Sequence, residues 1–101
     1  MANICFARLT VMPSDSGVIS YDETIPAWLK VFARLETETA EGDYLVLDCE
    51  FRWVPPFDEL RALSAEKHLS IRCTYEEPGV GFMGAWRVRD GAVEQDDCLE
   101  Y

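Results

Sequence analysis

His68 is the only histidine in the chain, so a nucleophile–base pair for hydrolytic or acyl chemistry would have to be built around it. Cys73 follows it, but nothing in that spacing calls for a Cys–His pair. His68 stands where a helical segment ends, and an imidazolium there favours the negative end of the helix dipole, so capping is its expected role. Paired carboxylates, the residues of acid–base or divalent-metal chemistry, occur at Asp22-Glu23, Asp58-Glu59, Glu76-Glu77 and Asp96-Asp97. No histidine or third ligand accompanies any of them. Asp58-Glu59 falls in the first turn of a helix, where acids suit the dipole, while Glu76-Glu77 is expected on a turn between strands, facing a partner. Cys5, Cys49, Cys73 and Cys98 are far apart and form no Cys-x-x-Cys pair, which gives no zinc site and predicts small free thiols, three of them in apolar strands. Gly79-x-Gly81-x-x-Gly84 has the letters of a dinucleotide fingerprint but lies between two strands, where the fingerprint must join a strand to a helix. Those glycines are expected to serve turn geometry and a close contact within the sheet. The chemistry-bearing residues therefore predict a protein that is not an enzyme and takes no cofactor and no metal.

With 101 residues the expectation is a single domain, 1–101, and 49% hydrophobic content is enough to give it a core. Nine Lys and Arg stand against nineteen Asp and Glu, a net charge of −10. Such a field repels nucleic acid and anionic membrane and attracts basic protein surfaces. There is no basic segment followed by a long apolar run and no stretch of membrane-spanning length, so the sequence predicts a cytoplasmic protein.

The elements that must position these residues follow from periodicity. Ala2 to Met12 reads as a strand carrying Ile4, Phe6, Leu9 and Val11, ended by Pro13 and the turn Ser14-Asp15-Ser16-Gly17. Thr24 as N-cap and Pro26 in the first turn predict a helix. Its buried face would be Ile25, Trp28, Leu29, Phe32 and Leu35, and it would stop at Gly42. Tyr44 to Trp53 alternates cleanly, with Leu45, Leu47, Cys49, Phe51 and Trp53 on one side. Pro55-Pro56 breaks the chain, and a second helix follows, with Phe57, Leu60 and Leu63 on one face, to about His68. Strands are expected from Leu69 to Glu76 and Phe82 to Arg89, with a turn at Pro78-Gly79 between them. Asp90-Gly91 is a hairpin signal. A short strand around Ala92 to Gln95 and an acidic tail complete the chain. The order predicts an α+β, ferredoxin-like two-layer sandwich: a mainly antiparallel sheet with two helices on one face. The other face carries Asp48, Glu50, Arg52, Ser70, Arg72, Thr74, Arg87 and Arg89, which predicts cross-strand acid–arginine pairs.

If the sheet arginines are used in that way, the remaining acids are unbalanced. Glu36, Glu38, Glu41 and Asp43 form one cluster, and Asp96, Asp97 and Glu100 belong to another. With Glu76 and Glu77 these are the candidate partner-binding residues.

Two blocks are similar to a known family: the opening segment to Val11, and a C-terminal block carried by Phe51-Arg52-Trp53-Val54-Pro55-Pro56, Tyr75-Glu76-Glu77-Pro78-Gly79-x-Gly81-Phe82-x-Gly84 and Asp97-Cys98-Leu99-Glu100-Tyr101. The chain resembles a short variant of the YubB, or Api-like, ferredoxin-like family of plasmid- and phage-borne proteins. The resemblance implies a ferredoxin-like fold without an iron–sulfur cluster and an origin on mobile elements, and brings no catalytic residues. Together with the acidic patches, it predicts a small inhibitor of a host defence complex, of the anti-CRISPR type. The inhibitor would bind a basic nucleic-acid-handling surface of a CRISPR effector or nuclease subunit. The alternative is a non-catalytic protein-binding or homodimeric module for plasmid or phage housekeeping, whose binding surface should be apolar or mixed.

Overall fold

The computed structural model describes residues 3–15, 17–39 and 42–101; Ala2, Ser16 and Glu41 of the expectations above lie outside them. Six strands are present: β1 (Ile4–Pro13), β2 (Ala33–Glu38), β3 (Leu45–Arg52), β4 (Leu69–Glu77), β5 (Phe82–Arg89) and β6 (Ala92–Glu100). They form one sheet in the order β2-β3-β1-β4-β5-β6, with every neighbouring pair antiparallel. Three helices intervene, α1 (Tyr21–Thr24), α2 (Ala27–Lys30) and α3 (Phe57–Lys67).

Alternation builds the core. Cys5, Ala7, Leu9 and Val11 of β1, Leu45, Leu47, Cys49 and Phe51 of β3, and Leu69, Ile71, Cys73 and Tyr75 of β4 are all buried. Trp86 and Val88 join them from β5, with Leu60 and Leu63 of α3 and Leu29 of α2. Burying each large apolar side chain contributes about 1.5–3 kcal/mol, and together they fix which face of the sheet is inward. Ser64 of α3 is also fully buried. Its hydroxyl donates to the Leu69 carbonyl at 2.7 Å and accepts from the Gly91 N–H at 3.1 Å, tying the helix to the β5–β6 hairpin. The hairpin is the tight turn that Asp90-Gly91 specifies, with φ of 49° and 82°. His68 caps α3 in the left-handed region at φ 54°, its N–H bonded to the Ser64 carbonyl.

Three expectations are corrected. The long first helix is replaced by two single turns and an edge strand. Ser20, not Thr24, caps the first turn by accepting from the Glu23 N–H, and Pro26 opens the second. Beyond Lys30 the chain gains more by hydrogen-bonding to β3 than by continuing a helix, and Leu35, assigned to a buried helical stripe, is 61% exposed on β2. The layer opposite the sheet therefore holds one full helix, not two. Trp53 leaves the buried series because its φ of 67° turns the chain out of β3, and its side chain is half exposed. Finally, the acidic tail is strand: Asp96, Asp97 and Glu100 lie in β6, paired along its length with β5.

Candidate functional site: a trough across the open sheet face

Among the described residues nothing covers the face of the sheet away from the helices, and register lines its side chains up in rows. One row crosses five strands as Glu50, Phe6, Glu76, Met83 and Leu99; the next crosses them as Asp48, Arg8, Thr74, Ala85 and Asp97. Between the rows lie Cys49, Ala7, Tyr75, Gly84 and Cys98, whose positions in the alternation put their backbone, not their side chains, on this face. The result is a concave trough of about 830 Å³ with the two rows as walls. At about 4.8 Å per strand it is about 19 Å long, and its walls stand two residues, about 6.8 Å, apart.

The walls mix apolar and charged groups. Phe6 is 51% exposed and Leu99 62%, with Met83 between them in the same row. Two carboxylates are used internally. Arg8 grips Asp48 with Nε–Oδ1 at 2.8 Å and Nη2–Oδ2 at 3.3 Å, and Arg34 approaches Glu50 at 3.8 Å. Cross-strand acid–arginine pairs thus exist, but Asp48 and Glu50 are held by Arg8 and Arg34, and of the arginines expected on this face only Arg87 pairs with an acid among the described residues, Glu94 at 3.5 Å. Glu76 and Asp97 have no basic partner among the described residues. Each is held in place by a neutral donor, Glu76 by the Tyr101 hydroxyl at 2.6 Å and Asp97 by the Gln95 amide at 2.8 Å. The Glu76 carboxylate in turn raises the Tyr101 phenol to about 12. At neutral pH the hydroxyl keeps its proton and points one carboxylate oxygen, leaving the other free.

The remaining sequence candidates go elsewhere. Glu36 and Glu38 pair with Leu47 and Leu45, so they share the helix side of the outermost strand β2. Glu38 is engaged there, accepting from the Tyr21 N–H at 3.0 Å. Asp43 closes a local turn, its N–H donating to the Thr39 hydroxyl and its carboxylate accepting from it. Asp96 and Glu100 pair with Trp86 and Phe82 and so lie on the helix side of the other outermost strand. Glu77 cannot face a partner: it is 1% exposed and accepts from the N–H groups of Gly79 and Val80. The described acids of the two clusters are thus at opposite edges of the sheet, and among the eight described candidates only Glu76 and Asp97 meet in one concavity. Acids along outermost strands also discourage pairing with another sheet.

Phe6, Met83 and Leu99 were missed as site residues. For Phe6 the signal was present: it shares parity with Arg8 and Thr10, which marks that side of β1 as outward. Leu99 carried none, because β6 shows no apolar alternation and its face is set only by pairing with β5.

The cysteines contribute no reactive thiol to the trough. Burial pushes Cys5 up to about 11 and Cys49 to about 12, and pushes Cys73 higher still. Cys98 alone is exposed, and all four are free. At about pH 8 a disulfide-exchange reagent should therefore titrate one thiol of the native protein rapidly and the other three only on unfolding. Two or more fast equivalents would contradict this packing. Among the described residues, no three of His, Cys, Asp or Glu stand together as metal ligands, and no helix is long and apolar enough to cross a membrane.

No match was found among the curated proteins or the solved structures. The family model described as "Ferredoxin-like domain in Api92-like protein" matches residues 32–101, which cover β2 through β6 and both walls of the trough except Phe6 and Arg8. The chain belongs to that family of ferredoxin-like domains.

Proposed function

We propose that the protein is a non-catalytic binding module that seats a segment of a basic protein partner on its open sheet face. The trough carries this reading: a concavity with Phe6 and Leu99 exposed beside two carboxylates, Glu76 and Asp97, that no base among the described residues neutralises. Apolar wall and unbalanced charge together are what a mixed protein interface offers, and the net charge of −10 favours a basic partner while disfavouring nucleic acid and a second copy. His68 lies outside the trough, so its imidazole is not available for chemistry there.

The test separates face from edge. Glu76→Lys with Asp97→Lys should abolish capture of the native partner, and added salt should weaken capture by the parent protein. Glu36→Lys with Glu38→Lys should leave binding close to the parent level. Loss with the edge pair and retention with the trough pair would sink the reading.

In a second, narrower reading the partner is a nucleic-acid-handling defence complex, and the protein is a mobile-element inhibitor of the anti-CRISPR type. Carboxylates on both outermost strands favour it, because they extend the negative field beyond the trough. Expression in bacteria carrying active CRISPR systems, each challenged with a matched phage, decides it. Restored plaquing supports inhibition; no rescue in any system removes this reading and leaves the housekeeping form of the binding module.

A further inference from the structure

Resting on the open-face reading, we infer that the trough takes an extended protein segment with basic residues at i and i+3 and an apolar residue at i+2. The inference comes from the register. Glu76 and Asp97 stand on opposite walls and on strands β4 and β6, two strands apart. Along the trough that separation is about 9.6 Å. An extended chain lying in the trough advances about 3.3 Å per residue and sends successive side chains to opposite sides. Residues separated by an odd number therefore meet opposite walls, and three residues advance about 9.9 Å. A basic residue at i thus reaches Glu76 while one at i+3 reaches Asp97.

The residue at i+2 shares the wall of residue i and lies about 6.6 Å farther on, between Met83 and Leu99. Residue i+1 faces the small Ala85, which leaves room for most side chains. The two carboxylates are already oriented by Tyr101 and Gln95, so a cation meets fixed acceptors. A second copy of the chain is the poorer occupant, because it would bring ten net negative charges to an acidic trough.

The peptide Gly-Ser-Lys-Thr-Leu-Lys-Ser-Gly carries this pattern, and its isomer Gly-Ser-Lys-Thr-Leu-Ser-Lys-Gly places the second lysine one residue too far. Titrated into isotopically labelled protein, the first should shift the amides of strands β4, β5 and β6 around Thr74, Ala85 and Asp97. It should bind about fivefold more tightly than the isomer, since one exposed ion pair is worth up to about 1 kcal/mol. Asp97→Asn should erase that preference, and the two-dimensional spectrum of the variant shows whether it is folded. Equal binding of both peptides in the trough would overturn the register inference while leaving the open-face reading standing. Shifts confined to the helix side, or sedimentation of the protein as a dimer that excludes the peptide, would overturn both. Absence of any shift with either peptide overturns the inference, and the fate of the open-face reading then rests on the charge-reversal variants above.

Discussion

Replacing Gly84 with alanine should lower stability by about 2–3 kcal/mol, the usual cost of forcing extra atoms into a packed site. For a domain of this size that is a fall in Tm of roughly 10–20 °C. The Tyr75 ring crosses directly over Gly84 on its way to Cys98, and an added Cβ would overlap its Cζ and hydroxyl and come within 2.6 Å of the Asp97 carbonyl. The side chain cannot swing aside, because Tyr75 is buried and packed edge-on against Phe57 at 5.5 Å and Phe82 at 6.2 Å. Nor can the carbonyl, since Asp97 sits within the β5–β6 pairing. Gly17→Ala is the control: a Cβ there meets only Pro13 at 4.0 Å, and thermal unfolding should change little. If both variants melt near the parent temperature, the crossing of Tyr75 over Gly84 is wrong.

Glu77→Ala should cost about 2–3 kcal/mol, because it leaves two backbone N–H groups without the charged acceptor that now holds them. Those groups belong to Gly79 and Val80, so the damage should concentrate in the β4–β5 turn. Glu77→Gln retains one amide oxygen as an acceptor and should lose less than Glu77→Ala. Hydrogen exchange reads the location: amides of β4 and β5 near the turn should lose protection before those of the β1–β3 pair. Uniform loss across the sheet, or an alanine variant as stable as the glutamine one, would contradict this role.

These two effects explain why a block that looked functional in the sequence is largely structural. In Tyr75-Glu76-Glu77-Pro78-Gly79, alternation sends Tyr75 into the core and Glu76 onto the open face, and the third residue returns inward as the anchor of its own turn. Two adjacent acids with opposite fates are ordinary for a strand running to its last residue. The sequence reading ended that strand one residue early and so left Glu77 exposed. Elsewhere legibility tracked the strength of local pattern. Strands β3, β4 and β5, helix α3 and the Asp90-Gly91 hairpin were readable because period and turn chemistry agree there. The segment 25–38 was not, because its apolar residues fit a helical stripe as well as they fit two turns and a strand. Only pairing with β3 decides between them, and that contact lies outside any local window. The extent of β6 was hidden for the same reason. Six of its nine residues are Glu, Gln, Asp or Cys, which gives an outermost strand no apolar signature. Charge counting found the acids and could not sort them; register placed Glu76 and Asp97 in one trough and sent Glu36, Glu38, Asp96 and Glu100 to the helix side.

The central claim is that partners dock on the open sheet face, and a crosslinking comparison tests it most directly. A photo-crosslinking residue placed at Ala85, on the trough wall that carries Asp97, is compared with one at Glu66 on the exposed surface of α3, both expressed in the native host. The account predicts a discrete protein adduct from position 85 that disappears when Phe6→Ala and Leu99→Ala strip the apolar wall, with the variant still folded because both side chains are more than half exposed. An adduct from position 66 alone, or one from position 85 indifferent to those substitutions, would contradict it.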